Sequence, residues 1–295
     1  MMLRDFGYLE ILRTNPGASI QDKGRIGLGK WGIPISGVMD SLSYDWINHL
    51  LKNNSQAAII EISQPGFKCR FDSYTSIGLA GAKAEVKKNG KLISSSIIKI
   101  EANDELEIGK FLKGNILYLG VNQGFQTEEI LGSRSFYPKI TFSKMLSKGN
   151  KIPFFKNASD GKEASSSVKI NTSWFDSEEL EVYEGPDFKE LPMASQKKLL
   201  ESRFTLSNLA NRMAFQLEEL LANSISERIT SPVYPGTVQL TSGGKLLILM
   251  RDAQVTGGYP RIFQLSEKSI AHLAQKKTGQ KIRFCLSKTT DIKIR

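Results

Sequence analysis

Histidine and cysteine are nearly missing from this chain of 295 residues, which has two of each: His49 and His272, Cys69 and Cys285. Neither H-E-x-x-H nor C-x-x-C occurs, so dedicated zinc and dithiol chemistry lack their usual carriers. The Walker loop G-x-x-x-x-G-K-[ST] and the nucleophile elbow G-x-S-x-G are also lacking, which removes P-loop hydrolysis and a Ser-His-Asp triad. Both histidines fall on predicted helices among apolar neighbours and read as packed or surface structural residues, not catalytic ones. Two distant cysteines in strand-like sequence predict no disulfide framework and fit a reducing compartment. No stretch approaches the ~20 apolar residues of a bilayer span. The opening MMLRDFGYLEIL has neither the apolar core nor the small-residue cleavage site of a signal peptide. A soluble cytoplasmic protein with no membrane partner is the expectation.

Acid is in modest deficit, 30 Asp and Glu against 40 Lys and Arg, for a formal charge of +10. The excess is not gathered into one basic run. Lys139 to Lys156 holds five lysines and no acid, whereas Asp176 to Glu190 holds seven acids and one lysine. With no zinc-finger, basic-helix or RNP-like pattern, this asymmetry predicts a solvated surface with one basic patch, not a nucleic-acid partner.

Short apolar runs dominate what is present. Ala58 to Ile62, Ile77 to Ala82, Ile97 to Ile100, Ile116 to Val121 and Lys245 to Met250 are each closed by Gly, Asn, Ser or Asp, as strands are. Asn89-Gly90 between strand-like flanks is a hairpin signal. Three helices interrupt them. Residues 41–52 put Leu42, Trp46, His49 and Leu50 on one face with Asp40 as N-cap; a second helix lies near 195–201; a third, 267–275, carries Ile270, Leu273 and Ala274 behind Ser266. A Lys, Ser, Asn and Gly rich stretch predicts a linker or mobile loop at 147–168, dividing a β-barrel half at 1–146 from another at 169–295. The fold class is mainly β with a few helices.

Gly27, Gly29 and Gly32 in GLGKWGIPISGVMD have the G-x-G-x-x-G spacing, but Ile33-Pro34 follows where a dinucleotide loop needs a helix. The polar loops are more informative. They are Gln21-Asp22-Lys23-Gly24-Arg25, Ser36-Gly37-Val38-Met39-Asp40, Leu131-Gly132-Ser133-Arg134-Ser135, Asn211-Arg212-Met213, Pro235-Gly236-Thr237-Val238-Gln239 and Thr256-Gly257-Gly258-Tyr259-Pro260-Arg261. Arginine, serine and turn N–H groups recur in them, in the loop positions where binding chemistry gathers.

Taken in order, these motifs resemble the KipA family, also called the allophanate hydrolase subunit 2 or biotin-dependent carboxyltransferase family, which includes the C subunit of bacterial 5-oxoprolinase. The resemblance runs through nearly the whole chain. It implies two cyclophilin-like β-barrel halves and a component of an ATP-dependent 5-oxoprolinase, active in complex with a KipI-like protein of the B-subunit type and a protein of the A-subunit type. ATP with Mg would belong to the complex. It also implies alternatives: a carboxyltransferase component of a biotin-dependent urea or amide carboxylase, with biotin on another polypeptide, or a regulator that binds a kinase inhibitor without chemistry of its own. The glycines near Gly32 would then allow close approach to neighbours and ligand.

Both chemistries act on a planar O=C–N group whose oxygen gains negative charge, which calls for fixed donors. Ser36 and Gly37 are the candidate N–H donors, and Arg212 and Arg261 the candidate clamps for an anion. Asp40 is either an N-cap or a general base. Arg25, Arg134, Asn211, Thr256, Gly258 and Tyr259 are further candidate substrate or anion-binding residues, and no metal ligand is expected. The sequence departs from the family pattern S-N-R-M-G-Y-R-L at Ala210, Ala214 and Gln216, and has Gln123-Gly124 for the usual G-G. If the lost arginine binds an anion in relatives, Gln216 puts the identity of the substrate in question.

Overall fold

The computed structural model describes residues 5–141, 145–156 and 173–287. The chain divides into two compact units, Met1–Ile26 with Ser36–Phe175, and Gly27–Ile35 with Asp176–Arg295.

The first unit is a sheet of nine strands: β1 (Phe6–Arg13), β2 (Ala18–Gln21), β3 (Ile59–Ile62), β4 (Phe67–Phe71), β5 (Thr75–Lys88), β6 (Lys91–Ile93), β7 (Ile97–Ile100), β8 (Glu105–Val121) and β9 (Lys151–Phe155). The order is β2-β3-β8-β4-β1-β9, and β5 pairs with β8 while also carrying β6 and β7. Asn89 and Gly90 both have positive φ, 50° and 78°, and join Lys88 to Lys91 in the tight hairpin that Asn-Gly favours. β9 lies inside the stretch expected to be a linker. Its buried Ile152 and Phe154 alternate with more exposed neighbours and pair against β1, a short period-two pattern outweighed in the sequence by the polar residues around it. Residues 157–168 of that expected linker lie outside the described residues.

Helix α1 (Ser41–Leu50) packs on β5 and β8. Gly78 and Gly120 face each other across those strands and leave a groove, which Ile47 and Leu51 fill. The buried face of α1 is Ser43, Tyr44, Ile47 and Asn48, not the face of Leu42, Trp46, His49 and Leu50 predicted from apolar spacing. The rotation has a polar cause. Ser43 is tied to Asp40, and Asn48 donates to Ala57 O at 3.3 Å and accepts from Asn53 Nδ2 at 3.1 Å, so both are buried with partners.

The second unit is a closed barrel in the order β10 (Glu179–Glu184), β17 (Arg261–Leu265), β14 (Thr237–Leu240), β15 (Lys245–Leu249), β12 (Ala214–Leu220), β11 (Phe204–Ala210) and β18 (Lys281–Leu286). The parallel pairing of β10 with β18 closes it, and every other pair is antiparallel. Its interior holds Val182, Leu217, Val238, Leu246, Ile248 and the Phe263–Phe284 ring pair, 5.2 Å between centroids. A short ribbon of β13 (Ser231–Pro232) and β16 (Thr256–Gly257) lies outside the barrel order. Helix α2 (Met193–Glu201) packs on β18, and α3 (Glu267–Ala274) on β10 and β17. Ser266 caps α3 by accepting from Ser269 N at 3.2 Å, and the expected stripe of Ile270, Leu273 and Ala274 is buried. The mainly β expectation with barrel-like halves therefore holds, with a half-barrel in the first unit and a closed barrel in the second.

A Cβ on Gly120 would stand 2.3 Å from Ile47 Cγ2. Gly120→Ala should lower unfolding free energy by about 2 kcal/mol in urea titration, and the same substitution should cost less in an Ile47→Ala background. Burial, and then the charges of Lys268 and Lys276, lower His272 from 6.5 to about 4. Below pH 6.5 the unfolded chain takes up a proton that the folded chain refuses until about pH 4, so stability falls across that window. The loss is at most about 3 kcal/mol. Urea midpoints at pH 7 and pH 4.5 should differ less in His272→Asn than in the unmodified chain.

Candidate functional site

In the first unit the chemistry-bearing loops are tied to one carboxylate. Asp22, at the end of β2 and buried, accepts on Oδ1 from Gly24 N at 2.8 Å, Ser133 Oγ at 2.5 Å and Ser135 Oγ at 2.6 Å, and on Oδ2 from Arg134 N at 2.6 Å. Its own N–H donates to Ser135 Oγ at 2.9 Å, and its carbonyl accepts from Val38 N at 2.9 Å. Two sequence motifs more than a hundred residues apart thus meet at one side chain, and a third joins at its main chain. The Asp22-x-Gly24 spacing carries a local turn signal, but nothing in it points to Ser133 and Ser135.

Arg25 and Arg134 are expected from sequence to bind an anion, and the structure turns both inward. Arg25 is 1% exposed and donates to Ile130 O at 3.2 Å and Ser135 O at 2.8 Å. Arg134 donates to Thr127 O and lies 3.7 Å from Glu129 Oε2. Both guanidinium groups serve the protein's own acceptors, the main-chain carbonyls of Thr127, Ile130 and Ser135.

The Ser36 to Asp40 segment is held from several sides. Val38 N goes to Asp22 O, Met39 N to Glu61 Oε2 at 2.8 Å, and Asp40 N to Tyr118 Oη at 2.8 Å, while Tyr118 Oη donates to Glu61 Oε2 at 2.8 Å. Burial, then the Glu61 and Asp40 charges, push the Tyr118 phenol well above its usual range, so it keeps the proton it donates. Asp40 is fully buried, with Oδ1 accepting from Ser43 N at 3.0 Å and Oδ2 from Ser43 Oγ at 2.6 Å. This is an N-cap, and with both oxygens engaged Asp40 is not placed as a general base. Gly37 has φ +82°, and a Cβ there would stand 2.9 Å from Asp22 O and Gly24 N, so this glycine permits the close approach. The triplet before it does not do so. A Cβ on Gly27, Gly29 or Gly32 would meet nothing within 4 Å; Gly27 and Gly32 instead supply left-handed turns, the second ending a single 3-10 turn at Gly29–Trp31.

Ser36 stands apart. It is fully buried in a left-handed conformation, φ +57°, and its Oγ has no hydrogen-bond partner among the described residues. Such a residue costs of order 1 kcal/mol or more in backbone strain, and its unmet hydroxyl costs more.

In the second unit, Arg212 is the expected clamp for an anion. Its Nε and Nη2 edge is instead spent on Asp252, at 2.8 and 2.9 Å, and Asp252 N returns a bond to Arg212 O at 2.8 Å. Sequence reasoning misses Asp252, since nothing local marks it. Asn211 builds the turn between β11 and β12, its Oδ1 accepting from Met213 N at 2.7 Å and Ala214 N at 3.2 Å. Ala214, one of the departures from the family pattern, packs against Val233, Leu249 and Ala253. Gln123, another, has φ +64°, the left-handed conformation in which glycine is the usual residue.

Thr256, Gly258, Tyr259 and Arg261 are brought together around the β13–β16 ribbon. Gly258 O accepts from Arg228 N at 2.7 Å, and Arg261 Nη1 donates to Pro232 O at 3.3 Å. Asp187, also missed from sequence, holds this turn by accepting from Arg261 N at 2.7 Å and by an ion pair with Arg228, whose Nε lies 3.2 Å away. Thr256 and Tyr259 are exposed. Among the described residues, no three His, Cys, Asp or Glu side chains converge as metal ligands.

The Asp22 knot is testable directly. Asp22→Asn leaves the Arg134 and Gly24 N–H groups competing for one oxygen, and should cost about 3 kcal/mol by urea unfolding while raising amide exchange at 133–135.

Residues 31–286 match the model of the family described as carboxyltransferase domain, subdomain A and B. The 5-oxoprolinase C subunit of Escherichia coli (strain K12) is 29% identical over 283 residues, 94% of this chain and 90% of that protein. A urea amidolyase of Lachancea kluyveri is 37% identical over 128 residues, 42% of this chain but 7% of the relative. The crystal structure of TTHA0988 superposes with a TM-score of 0.83 at 21% identity, covering 96% of this chain and 56% of the other, so this chain spans about half of that one. By its matched residues and its fold, the chain belongs to the carboxyltransferase domain family, subdomains A and B.

Proposed function

We propose that this chain is the C-type subunit of an ATP-dependent 5-oxoprolinase, which opens the lactam of 5-oxoproline to glutamate. The correspondence with the Escherichia coli C subunit over 94% of this chain and 90% of that protein carries the reading. In such a complex its companions are a KipI-like protein of the B-subunit type and a protein of the A-subunit type, in the cytoplasm. No helix among the described residues is long and apolar enough to cross a membrane.

The sequence of this chain carries no Walker-type phosphate loop. No acidic or histidine cluster converges among its described residues, and the Gly27–Gly32 turn ends in a left-handed Gly32 instead of opening a helix. The phosphate chemistry is accordingly assigned to a companion protein. The part left to this chain is to hold the planar O=C–N group and stabilise its oxygen as water adds to the carbon and the C–N bond breaks, the nitrogen taking a proton. Ser36 supports that role, with a buried, unpartnered hydroxyl held on a strained backbone by the Asp22 and Glu61 networks. Donors fixed before the reaction stabilise a developing oxyanion without reorganising.

A second reading has a specific observation behind it. The 37% identity to urea amidolyase supports carboxyl transfer to urea or another amide, with carboxybiotin delivered by a separate polypeptide. A regulator that only binds an inhibitor protein is the remaining alternative.

The chain assembled with its companions should consume ATP only when 5-oxoproline is present; binding of companions without turnover would favour the regulator, and carboxylation of urea the carboxyltransferase. In the same assay Ser36→Gly should relieve strain, keeping or raising the thermal midpoint, yet cut turnover by 10-fold or more, about 1.4 kcal/mol of transition-state stabilisation. Unchanged turnover would remove the Ser36 hydroxyl from the mechanism.

A further inference from the structure

Gln239, in β14, is 1% exposed, and neither Oε1 nor Nε2 has a hydrogen-bond partner among the described residues. It is the only side-chain amide among the described residues with both ends buried and unpaired. A carboxamide left in that condition costs of order 1–3 kcal/mol for each unmet group, so a native fold that keeps one needs a reason for it. The first unit offers a contrast. Pro16-Gly17-Ala18-Ser19-Ile20-Gln21 and Pro235-Gly236-Thr237-Val238-Gln239 both lead from a Pro-Gly turn into a wholly buried four-residue strand with glutamine in it. Gln21 Nε2, however, is locked by Ser19 Oγ at 2.9 Å and Phe136 O at 3.4 Å. Gln239 is left open.

The surroundings of Gln239 are those of a reader, not of a core. The amide lies under the β13–β16 ribbon, where a Cβ on Gly257 would come within 2.6 Å of Nε2, so glycine there preserves the room the amide occupies. Gln239 is in register with Arg261 on β17, and both side chains reach the same ribbon, Gln239 at Gly257 and Arg261 at Pro232. The 3.3 Å bond to Pro232 O is the only side-chain hydrogen bond of Arg261 among the described residues. Its main chain is fixed by Asp187 and by the close approach of Gly185, where a Cβ would stand 2.2 Å from Arg261 O. The cover is a short ribbon, Ser231 with Gly257 and Pro232 with Thr256, continued on its flanks by Val233 N to Val255 O at 3.0 Å and Arg228 N to Gly258 O at 2.7 Å.

We infer that Gln239 and Arg261 form a recognition pair for a small carboxylic acid carrying a cis amide, a lactam acid, reached when the ribbon parts. A carboxamide presents a donor and an acceptor on one edge, and a cis amide presents the complementary acceptor and donor on one edge; a trans peptide cannot offer both. The guanidinium takes the carboxylate. The inference rests on the lactam-opening reading above and deepens it, because urea has the amide edge but no carboxylate.

Calorimetric titration of the full chain with 5-oxoproline, 2-pyrrolidinone and urea tests it, alongside ATP consumption by the assembled enzyme. The unmodified chain should bind 5-oxoproline at least 10-fold more tightly than 2-pyrrolidinone. Gln239→Met should fold with no loss of thermal midpoint and weaken both lactams 10-fold or more, and Arg261→Gln should erase the preference for the acid. Wild-type affinity in Gln239→Met, meaning that the amide meets only trapped water, would overturn the inference, as would no saturable binding of either lactam by the unmodified chain. Should Gln239→Met fail to fold, Gly257→Ala, whose methyl displaces the amide, must show the same loss, and unaltered binding there would overturn it. Lactam-dependent ATP consumption that ignores Gln239→Met would sink the pair and leave the function standing. Gln239-dependent binding without ATP consumption would do the reverse.

Discussion

One carboxylate, that of Asp22, sets the geometry of the first unit's loops. It is surrounded by four donors, one from its own turn and three from residues 133–135, and its main chain holds a third segment at Val38. Burying a charge is costly unless donors replace the water it loses, and hydrogen bonds to a charged acceptor are the stronger kind. The donors here are short serines and backbone N–H groups, which cannot swing away. The loop of Ser36 to Asp40 is therefore fixed at its start by Asp22 and at its end by Glu61 and Tyr118. Ser36 is left in a conformation that a serine would not choose alone.

The second unit reaches the same result by other means. Its turns are secured by pairs: Arg212 with Asp252, Asp187 with Arg228 and the Arg261 main chain, and Asn211 with the amides after it. Arg212, which looks like an open clamp in the sequence, is a component of one of these pairs, just as Arg25 and Arg134 are spent on loop carbonyls in the first unit. A guanidinium beside a buried carboxylate orients loops at least as often as it binds ligands, and only partner geometry separates the two uses.

What the sequence made legible was local. The Asp40 and Ser266 caps, the Asn89-Gly90 hairpin, the α3 stripe and most strands follow from residues within a few positions of one another. What it hid was long-range. The buried face of α1 depends on a groove between Gly78 and Gly120 and on polar residues satisfied from elsewhere, so apolar spacing pointed to the wrong side. Asp22 meets Ser133 across 111 positions, and Asp187 meets Arg261 across 74. Glu61, Tyr118 and Asp252 have no signature of their own. The family motifs fixed which loops matter, but not which of their side chains face inward.

The seam between β10 and β18 has a consequence for how the polypeptide acquires its shape. Because the barrel's earliest and latest strands are parallel neighbours, Leu180 beside Phe284, the ring cannot shut until nearly all of the unit has left the ribosome. Until then β10 and β11 are open edges, and open edges invite pairing with other chains. Loss of the final strand would therefore be felt less as a missing piece than as two sticky margins.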